Sequence, residues 1–123
     1  MKIPSLLRAE EHRALKKIVL NGKVLDLGGD TRSSYRSYIQ GDFSITTVNL
    51  DLKANPDVTH DLEQSLPFEK ESYDHVLLIN ILEHVYNYQQ LLQEAARVLR
   101  KNGTVTIVVP FLFPIHPSPN DYW

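Results

Sequence analysis

Polar residues follow four predicted strands, and together they could bind a nucleotide-like cofactor. The first group lies within residues 26–30, and the others are Asp51, Asp61 with Leu62, and Asn80. The carboxyl ends of parallel strands meet at one edge of a sheet, which is where ligands bind in open α/β folds. Taken singly, each of these residues could equally cap a turn or lie on the surface. The prediction of a site therefore rests on all four groups meeting at the same edge.

The segment "KVLDLGGDTRSSY" predicts a buried strand that runs into a glycine turn. Gly28 and Gly29 allow a tight turn and a close approach of the backbone to a ligand, because neither has a β-carbon. Asp51 follows after about 20–25 residues, the spacing at which an acid can accept both hydroxyl protons of a ribose. Asp30 and Arg32 stand where a nucleotide-binding turn normally has glycine. The Asp30 carboxylate either points into the site and pairs with a cation, or points outward and leaves the turn to the two glycines.

Two histidines, His84 and His116, are candidates for a general base. Their unperturbed pKa of about 6.5 allows proton exchange near neutral pH. Each has a structural alternative, since His84 could pack at a helix entry and His116 could cap its loop or contact a substrate. Asp121 and Tyr122 either line a pocket for a second substrate or fix the same loop. No metal site is predicted, because the five histidines lack paired ligand spacing and the chain has no cysteine.

The spacing of apolar residues predicts alternating helices and strands. Helices are predicted over residues 5–21, 31–40 and 87–100, and strands over residues 23–27, 44–52, 58–60, 73–80 and 104–109. The run "HVLLI" in the fourth strand is typical of a strand covered on both faces. Asn87 and Gln90 have the spacing of a helix capping box, and Asn102-Gly103 is the predicted end of that helix. This order predicts an α/β fold, a Rossmann-like, mostly parallel sheet of about five strands with flanking helices.

The composition is that of an ordinary globular protein. The 123 residues suit a single domain over residues 1–123, with an N-terminal helix and a loop tail over residues 110–123. The net charge of −2 gives no argument for binding nucleic acid, and no apolar run approaches the ~20 residues that span a bilayer. The lack of cysteine is compatible with a reducing compartment, so a cytoplasmic location is expected.

Four separated segments make the sequence similar to a known family. They are "VLDLGG", "VNLDL", "THDLEQSLPFEKESYDHVLLINILEHV" and "EAARVLRKNGTVTIVVPF". Together they resemble the class I S-adenosylmethionine-dependent methyltransferases, and most closely the branch called methyltransferase type 11. The resemblance covers residues 23–123 and is most specific over residues 61–85. It implies methyl transfer from S-adenosylmethionine, with S-adenosylhomocysteine as the product, to a small-molecule acceptor or a glycan- or lipid-linked one.

The same resemblance implies a set of residues that would bind the cofactor. Those implied for the methionine part and the sulfonium are Asp26, Gly28, Gly29, Asp30, Asn80, Ile81, Leu82 and His84. Those implied for the nucleoside part are Asp51, Leu52, Asp61 and Leu62. Among the latter, Asp51 would hold the ribose hydroxyls and Asp61 would receive the adenine amino group.

The sequence departs from the family pattern in two ways. The family glycines would fall at positions 28, 30 and 32, and only Gly28 fits. The family fold has seven strands, and the chain is expected to be truncated after the fifth, which would leave the strand from Thr104 to Val109 as an uncharged edge. Such edges are normally covered, so we expect either a second copy of the chain, as a homodimer, or a missing C-terminal segment to cover it.

Two alternative functions stay open at this stage. One is a non-catalytic or split S-adenosylmethionine-binding domain, which the irregular glycine turn and the small number of strands favour. The other is a dinucleotide-dependent oxidoreductase, which shares the ribose-binding acid but requires a fuller glycine pattern.

Overall fold

The computed structural model describes residues 3–29 and 35–109 of the chain. It contains two helices and five strands, which are α1 (Ile3–Leu15), β1 (Gly22–Leu27), β2 (Phe43–Asn49), β3 (Val58–Thr59), β4 (Tyr73–Ile79), α2 (Tyr88–Val98) and β5 (Leu99–Val108). Short 3₁₀ turns occur at Tyr35–Tyr38, Leu52–Ala54 and Leu82–His84.

The five strands form one sheet in the order β3-β2-β1-β4-β5, and every neighbouring pair is parallel. Val24 of β1 lies beside Ile45 of β2 on one side and beside His75 of β4 on the other. The chain therefore adds β2 and β3 on one side of β1 and adds β4 and β5 on the other. The carboxyl ends of β1 and β4 lie side by side at the centre of the sheet. The α/β, Rossmann-like fold predicted from the sequence is confirmed, with a sheet that is parallel throughout the described residues.

Each face of the sheet has its own hydrophobic core. On one face α2 packs over β1 and β4, burying Leu25, Leu27, Val76, Leu78, Leu91, Ala95 and Val98. On the other face α1 and the first 3₁₀ turn bury Leu15, Val24, Tyr35, Ile39, Leu77 and Ile79. Side chains alternate between the two faces of a strand, so β1 and β4 must be apolar at successive positions. Burial of each such Leu or Val contributes about 1.5–3 kcal/mol.

The helix α2 begins as its sequence predicts and ends earlier. The Asn87 side chain accepts a hydrogen bond from the Gln90 N–H, which caps the first turn. The helix ends at Val98, and β5 starts at the next residue, so the predicted helix end at Asn102-Gly103 was wrong. The reason is pairing, because Leu99 already lies beside Tyr73 of β4, and the irregularity near Asn102 (φ 67°) is a bulge within the strand.

Two other predicted elements differ from the structure. The N-terminal helix ends at Leu15 and does not reach residue 21, because the backbone of residues 18–20 pairs with Gln40 through N–H to O distances of 2.8 and 3.0 Å. In the described part of the predicted helix over residues 31–40, only the 3₁₀ turn Tyr35–Tyr38 forms. That segment is held by its buried side chains and by Gln40.

Strand β5 lies at the edge of the sheet, as predicted. Exposed apolar side chains occur at Val105 and Ile107 of this strand and at Val109, the residue that follows it. What covers this edge stays a prediction, as does the single domain over residues 1–123. Among the residues described, no helix is long and apolar enough to cross a membrane.

Candidate functional site

The turn after β1 is packed so tightly that only glycine fits at two positions. Gly28 has φ +87°, and a β-carbon there would lie 2.7 Å from the Ile81 side chain. At Gly29 a β-carbon would lie 2.6 Å from Oδ2 of Asp26. The Asp26 side chain is 1% exposed. The two glycines thus let the chain wrap closely around a buried carboxylate.

Asp26 is the most perturbed acid in this region. Its Oδ2 accepts a hydrogen bond from the Tyr35 hydroxyl, whereas its Oδ1 has no hydrogen-bond partner among residues 3–29 and 35–109. Burial raises the pKa of Asp26 from 3.8 to about 6, and the Tyr35 hydroxyl and the nearby Arg36 charge partly oppose that rise. A buried carboxylate oxygen with a free lone pair can accept a hydrogen bond from a cationic or N–H group of a ligand.

Asn49 joins the turn after β1 to the loop after β2. Its Nδ2 donates to the carbonyl oxygens of Gly28, at 3.2 Å, and Gly29, at 3.1 Å. Its Oδ1 accepts from the Asp51 N–H at 2.9 Å. Asn49 was not predicted from the sequence, although a polar side chain that ends an otherwise apolar strand is the signal that could have identified it.

The loop after β2 is open to solvent. Asp51 follows the end of β2 by two residues and so lies in a turn and not in the predicted strand over residues 44–52. Its carboxylate accepts from the Lys53 N–H at 2.9 Å and caps the 3₁₀ turn Leu52–Ala54. The Leu52 side chain is 75% exposed. This loop presents the Asp51 carboxylate and two exposed apolar side chains, Leu50 and Leu52, at the carboxyl edge of the sheet.

The loop after β3 is tied to the loop after β4 by Glu63. Asp61 accepts from the Glu63 N–H at 2.9 Å, and Leu62 packs into the core at 9% exposure. The Glu63 carboxylate accepts from the N–H groups of Tyr86, at 2.8 Å, and Asn87, at 3.0 Å. Glu63 was also missed, because nothing in its local sequence shows that it reaches residues more than twenty positions away.

The loop after β4 begins with a left-handed residue. Asn80 has φ 55°, a conformation that asparagine tolerates better than most residues. Its N–H donates to the Val108 carbonyl at 2.7 Å, and its side-chain Nδ2 donates to Oε2 of Glu11 in α1 at 2.9 Å. Ile81 follows and fills the space that a side chain on Gly28 would need. The loops after β1 and β4 are therefore in direct contact.

Of the two candidate bases, only His84 lies within the described residues. His84 ends the 3₁₀ turn Leu82–His84, is partly buried, and has its Nε2 3.9 Å from Oε1 of Glu83. Asp30, His116, Asp121 and Tyr122 lie outside the described residues. Within residues 3–29 and 35–109, no group of three or more His, Asp or Glu side chains is arranged to hold a metal ion.

Comparison with known proteins identifies the family and the fold. Residues 25–107 match the type 11 family described as "Methyltransferase domain". The chain is 29% identical over 96 residues to a demethylmenaquinone methyltransferase of Tropheryma whipplei, an alignment that covers 69% of this chain and 40% of that protein. It is also 29% identical over 100 residues to an uncharacterised protein of Methanocaldococcus jannaschii, covering 79% of this chain and 49% of the relative.

Solved structures share the fold. A Pyrococcus horikoshii protein has a TM-score of 0.62 at 25% identity, with 88% of this chain and 53% of that one aligned. A Haloferax volcanii protein described as a methyltransferase, solved in complex with a methyltransferase activator, shares the fold with a TM-score of 0.60 at 22% identity, over 79% and 49% of the two chains. The chain spans about half the length, or less, of the relatives it matches.

Proposed function

The chain belongs to the methyltransferase domain family, and we propose that it takes part in methyl transfer from S-adenosylmethionine to a small-molecule or a glycan- or lipid-linked acceptor. The observation that carries the proposal is the meeting of two acids and an asparagine at one edge of a parallel sheet, within the residues that match the family. Asp26 lies near the carboxyl end of β1, Asp51 follows β2, and Asn80 follows β4. The family implies S-adenosylmethionine as the cofactor.

The turn after β1 fits the methionine part of this cofactor. Asp26 presents an Oδ1 atom that no described residue satisfies, and a buried acceptor of this kind suits an ammonium group. Gly28 and Gly29 keep the turn free of side chains, and Asn80 and Ile81 form the opposite side. In the proposed site these five residues, together with Asp30, orient the methionine part and exclude water from it.

The loops after β2 and β3 suit the nucleoside part. The Asp51 carboxylate is exposed and can accept hydrogen bonds from two hydroxyl groups, and Leu52 offers an exposed apolar surface for a flat ring. Asp61 and the Leu62 N–H are proposed to contact the adenine edge. S-adenosylmethionine would supply an electrophilic methyl group, so the main task of these residues is to align the cofactor with the acceptor.

A general base is needed only if the acceptor carries a proton of high pKa. We propose His84 and His116 for that role. His84 is supported by its position on the loop after β4, three residues after Ile81, and by its partial burial at the carboxyl edge of the sheet. Replacing each by Gln should lower turnover without weakening cofactor binding if either acts as the base.

The proposal extends to the acceptor, to what covers β5 and to the cellular compartment. The relative from Tropheryma whipplei is named for methylation of demethylmenaquinone, which supports a lipid-linked acceptor over a nucleic acid. We further propose that a second copy of the chain, or further chain, covers the exposed side of β5, and that the protein works in the cytoplasm. The exposure of Val105 and Ile107 supports the first, and the absence of cysteine is compatible with the second.

The test of the proposed function is binding followed by turnover. Calorimetry with S-adenosylmethionine and with S-adenosylhomocysteine should show one site per chain, and NAD should not compete. Transfer of a labelled methyl group to quinone and glycan-lipid acceptors should then be measured. Binding of NAD in preference to S-adenosylhomocysteine would contradict the proposal and favour the oxidoreductase.

A non-catalytic or split cofactor-binding domain is the second candidate. The observation that favours it is the uncovered apolar side chains of β5, which leave the sheet incomplete on that side within the described residues. Cofactor binding without turnover on any acceptor, followed by turnover when a second polypeptide is added, would identify this case.

A further inference from the structure

The helix α1 contacts both segments that flank the glycine turn. The His12 ring stacks on the Tyr38 ring with 4.3 Å between the centroids, and the ammonium of Lys16, the residue after α1, lies 5.2 Å from the centre of the same ring. Tyr38 closes the 3₁₀ turn that begins at Tyr35, the residue that donates to Asp26. On its other side α1 reaches the loop after β4. One helix therefore touches the loops on either side of Gly28-Gly29.

The contact with the loop after β4 runs through one pair of side chains. Oε2 of Glu11 accepts a hydrogen bond from Nδ2 of Asn80 at 2.9 Å, across 69 residues of sequence. Both residues are partly buried, and the left-handed backbone of Asn80 is also fixed by its N–H bond to Val108. Glu11 thus contacts the Asn80 amide directly, and Asn80 precedes Ile81 at the proposed methionine site.

We propose that Glu11 is a positioning residue for the cofactor site. Through Asn80 it couples the docking of α1 to the binding of the cofactor, an inference that rests on the proposed function. A ligand that orders Asn80 then stabilises α1, and by linkage the docked α1 strengthens ligand binding by the same factor. In this proposal the Glu11–Asn80 hydrogen bond is the link between α1 and the methionine end of the site.

Two measurements on the whole chain test this coupling. Calorimetry with S-adenosylhomocysteine gives the affinity, and amide hydrogen exchange of residues 3–15 with and without that ligand reports on α1. In Glu11→Ala the affinity should fall about 3- to 10-fold, the range expected for the loss of one hydrogen bond. In the unchanged chain the ligand should slow exchange in α1, and in Glu11→Ala it should not.

Three variants separate positioning from simple loss of stability. Glu11→Gln keeps an acceptor oxygen and should recover affinity to within about 2-fold of the unchanged chain. Glu10→Ala is the matched control on the same helix, because Glu10 is exposed and pairs only locally with Arg13 among the described contacts, and it should bind normally. Asn80→Gly accepts the left-handed backbone without the side chain, so adding Glu11→Ala to it should cost nothing further.

The outcomes are distinguishable. Normal affinity and normal ligand-induced protection of α1 in Glu11→Ala would overturn the coupling and leave the proposed function intact. A further loss when Glu11→Ala is added to Asn80→Gly would also overturn it, because the effect would not pass through Asn80. Failure of the unchanged chain to bind S-adenosylhomocysteine would overturn the proposed function, and the coupling with it.

Discussion

Two acids at the same edge of the sheet occupy opposite environments. Asp26, the last residue but one of β1, is 1% exposed, whereas Asp51 lies at the surface next to Leu52, which is 75% exposed. Asp26 accepts a hydrogen bond from the hydroxyl of Tyr35, which belongs to a separate segment. Asp51 caps its own 3₁₀ turn by accepting a hydrogen bond from the Lys53 N–H. Changes in the buried turn should therefore alter folding and ligand binding together. Changes in the exposed loop should alter binding alone.

The largest effect is expected from Asp26→Asn, and it should depend on pH. The pKa of Asp26 in the folded chain, about 6, lies above its value of 3.8 when unfolded, so the folded chain binds more protons between these values. The stability contribution is complete below about pH 4 and is lost as the pH rises through 6. From pH 4 to pH 8 the free energy of unfolding of Asp26→Asn should therefore gain about 2–3 kcal/mol relative to the unchanged chain.

Urea unfolding at pH 4, 6 and 8 measures this difference. The Tyr35 hydroxyl bond lowers the pKa of Asp26, so Tyr35→Phe should raise that pKa and enlarge the loss of stability with rising pH. A stability difference that stays constant with pH would contradict the prediction. Asp26→Asn should also bind S-adenosylhomocysteine more weakly, which would sharpen the contrast with Asp51.

The next largest effect is expected from Gly28→Ala. The left-handed backbone at Gly28 costs a non-glycine residue about 1–2 kcal/mol, and the new β-carbon would lie 2.7 Å from the Ile81 side chain. We expect a loss of about 2 kcal/mol in the free energy of unfolding, measured by urea denaturation. Gly28→Ala should also weaken cofactor binding, and adding Ile81→Ala should remove the steric part of that defect. A double variant that binds no better than Gly28→Ala would show that the overlap is unimportant.

A smaller effect is expected from Glu63→Ala, which tests whether Glu63 holds the loop after β3 against the loop after β4. Loss of two hydrogen bonds to the N–H groups of Tyr86 and Asn87 should destabilise the chain by about 1 kcal/mol. Thermal unfolding measures this loss, and hydrogen exchange at residues 86–90 should rise. The control is Glu69→Ala, at a residue whose described contact is through its backbone carbonyl, and it should leave exchange there unchanged.

The smallest effect on stability is expected from Asp51→Asn. Asparagine caps a helical turn about as well as aspartate, so the free energy of unfolding should change by less than about 0.5 kcal/mol. Affinity for S-adenosylhomocysteine should nevertheless fall about 10-fold, because a charged acceptor for two hydroxyl groups becomes neutral. Calorimetry and urea unfolding of the same variant test both parts. A stability loss as large as that of Gly28→Ala would remove the distinction between the two regions.

The parts of the fold that were predictable are those whose signal is local. The apolar runs of β1 and β4 follow from cores on both faces, and Asn87 shows the start of α2 through its cap. The acids at the ends of β1 to β3 could be identified for the same reason, because a polar residue after an apolar strand is visible in the sequence. The difference in burial between Asp26 and Asp51 could not be predicted, since each is an acid at the end of an apolar strand.

What could not be predicted depends on contacts between distant segments. The N-terminal helix stops because residues 18–20 pair with Gln40, and α2 stops because Leu99 pairs with β4. The roles of Glu11, Asn49 and Glu63 likewise arise from bonds to other loops. Burial of Asp26, which sets its raised pKa, results from packing of Tyr35 and the glycine turn and has no counterpart in local sequence.

The central position of β1 also has a consequence for synthesis on the ribosome. Lys23 of β1 bonds to Asp74 of β4, which is 51 residues later in the chain. At about 5–20 residues per second, β1 waits roughly 3–10 s for the strand that covers its second side. During that time Leu25 and Leu27 have only part of their final neighbours. Because α2 buries the same two side chains, β1 is fully covered only after the residues up to Val98 have emerged.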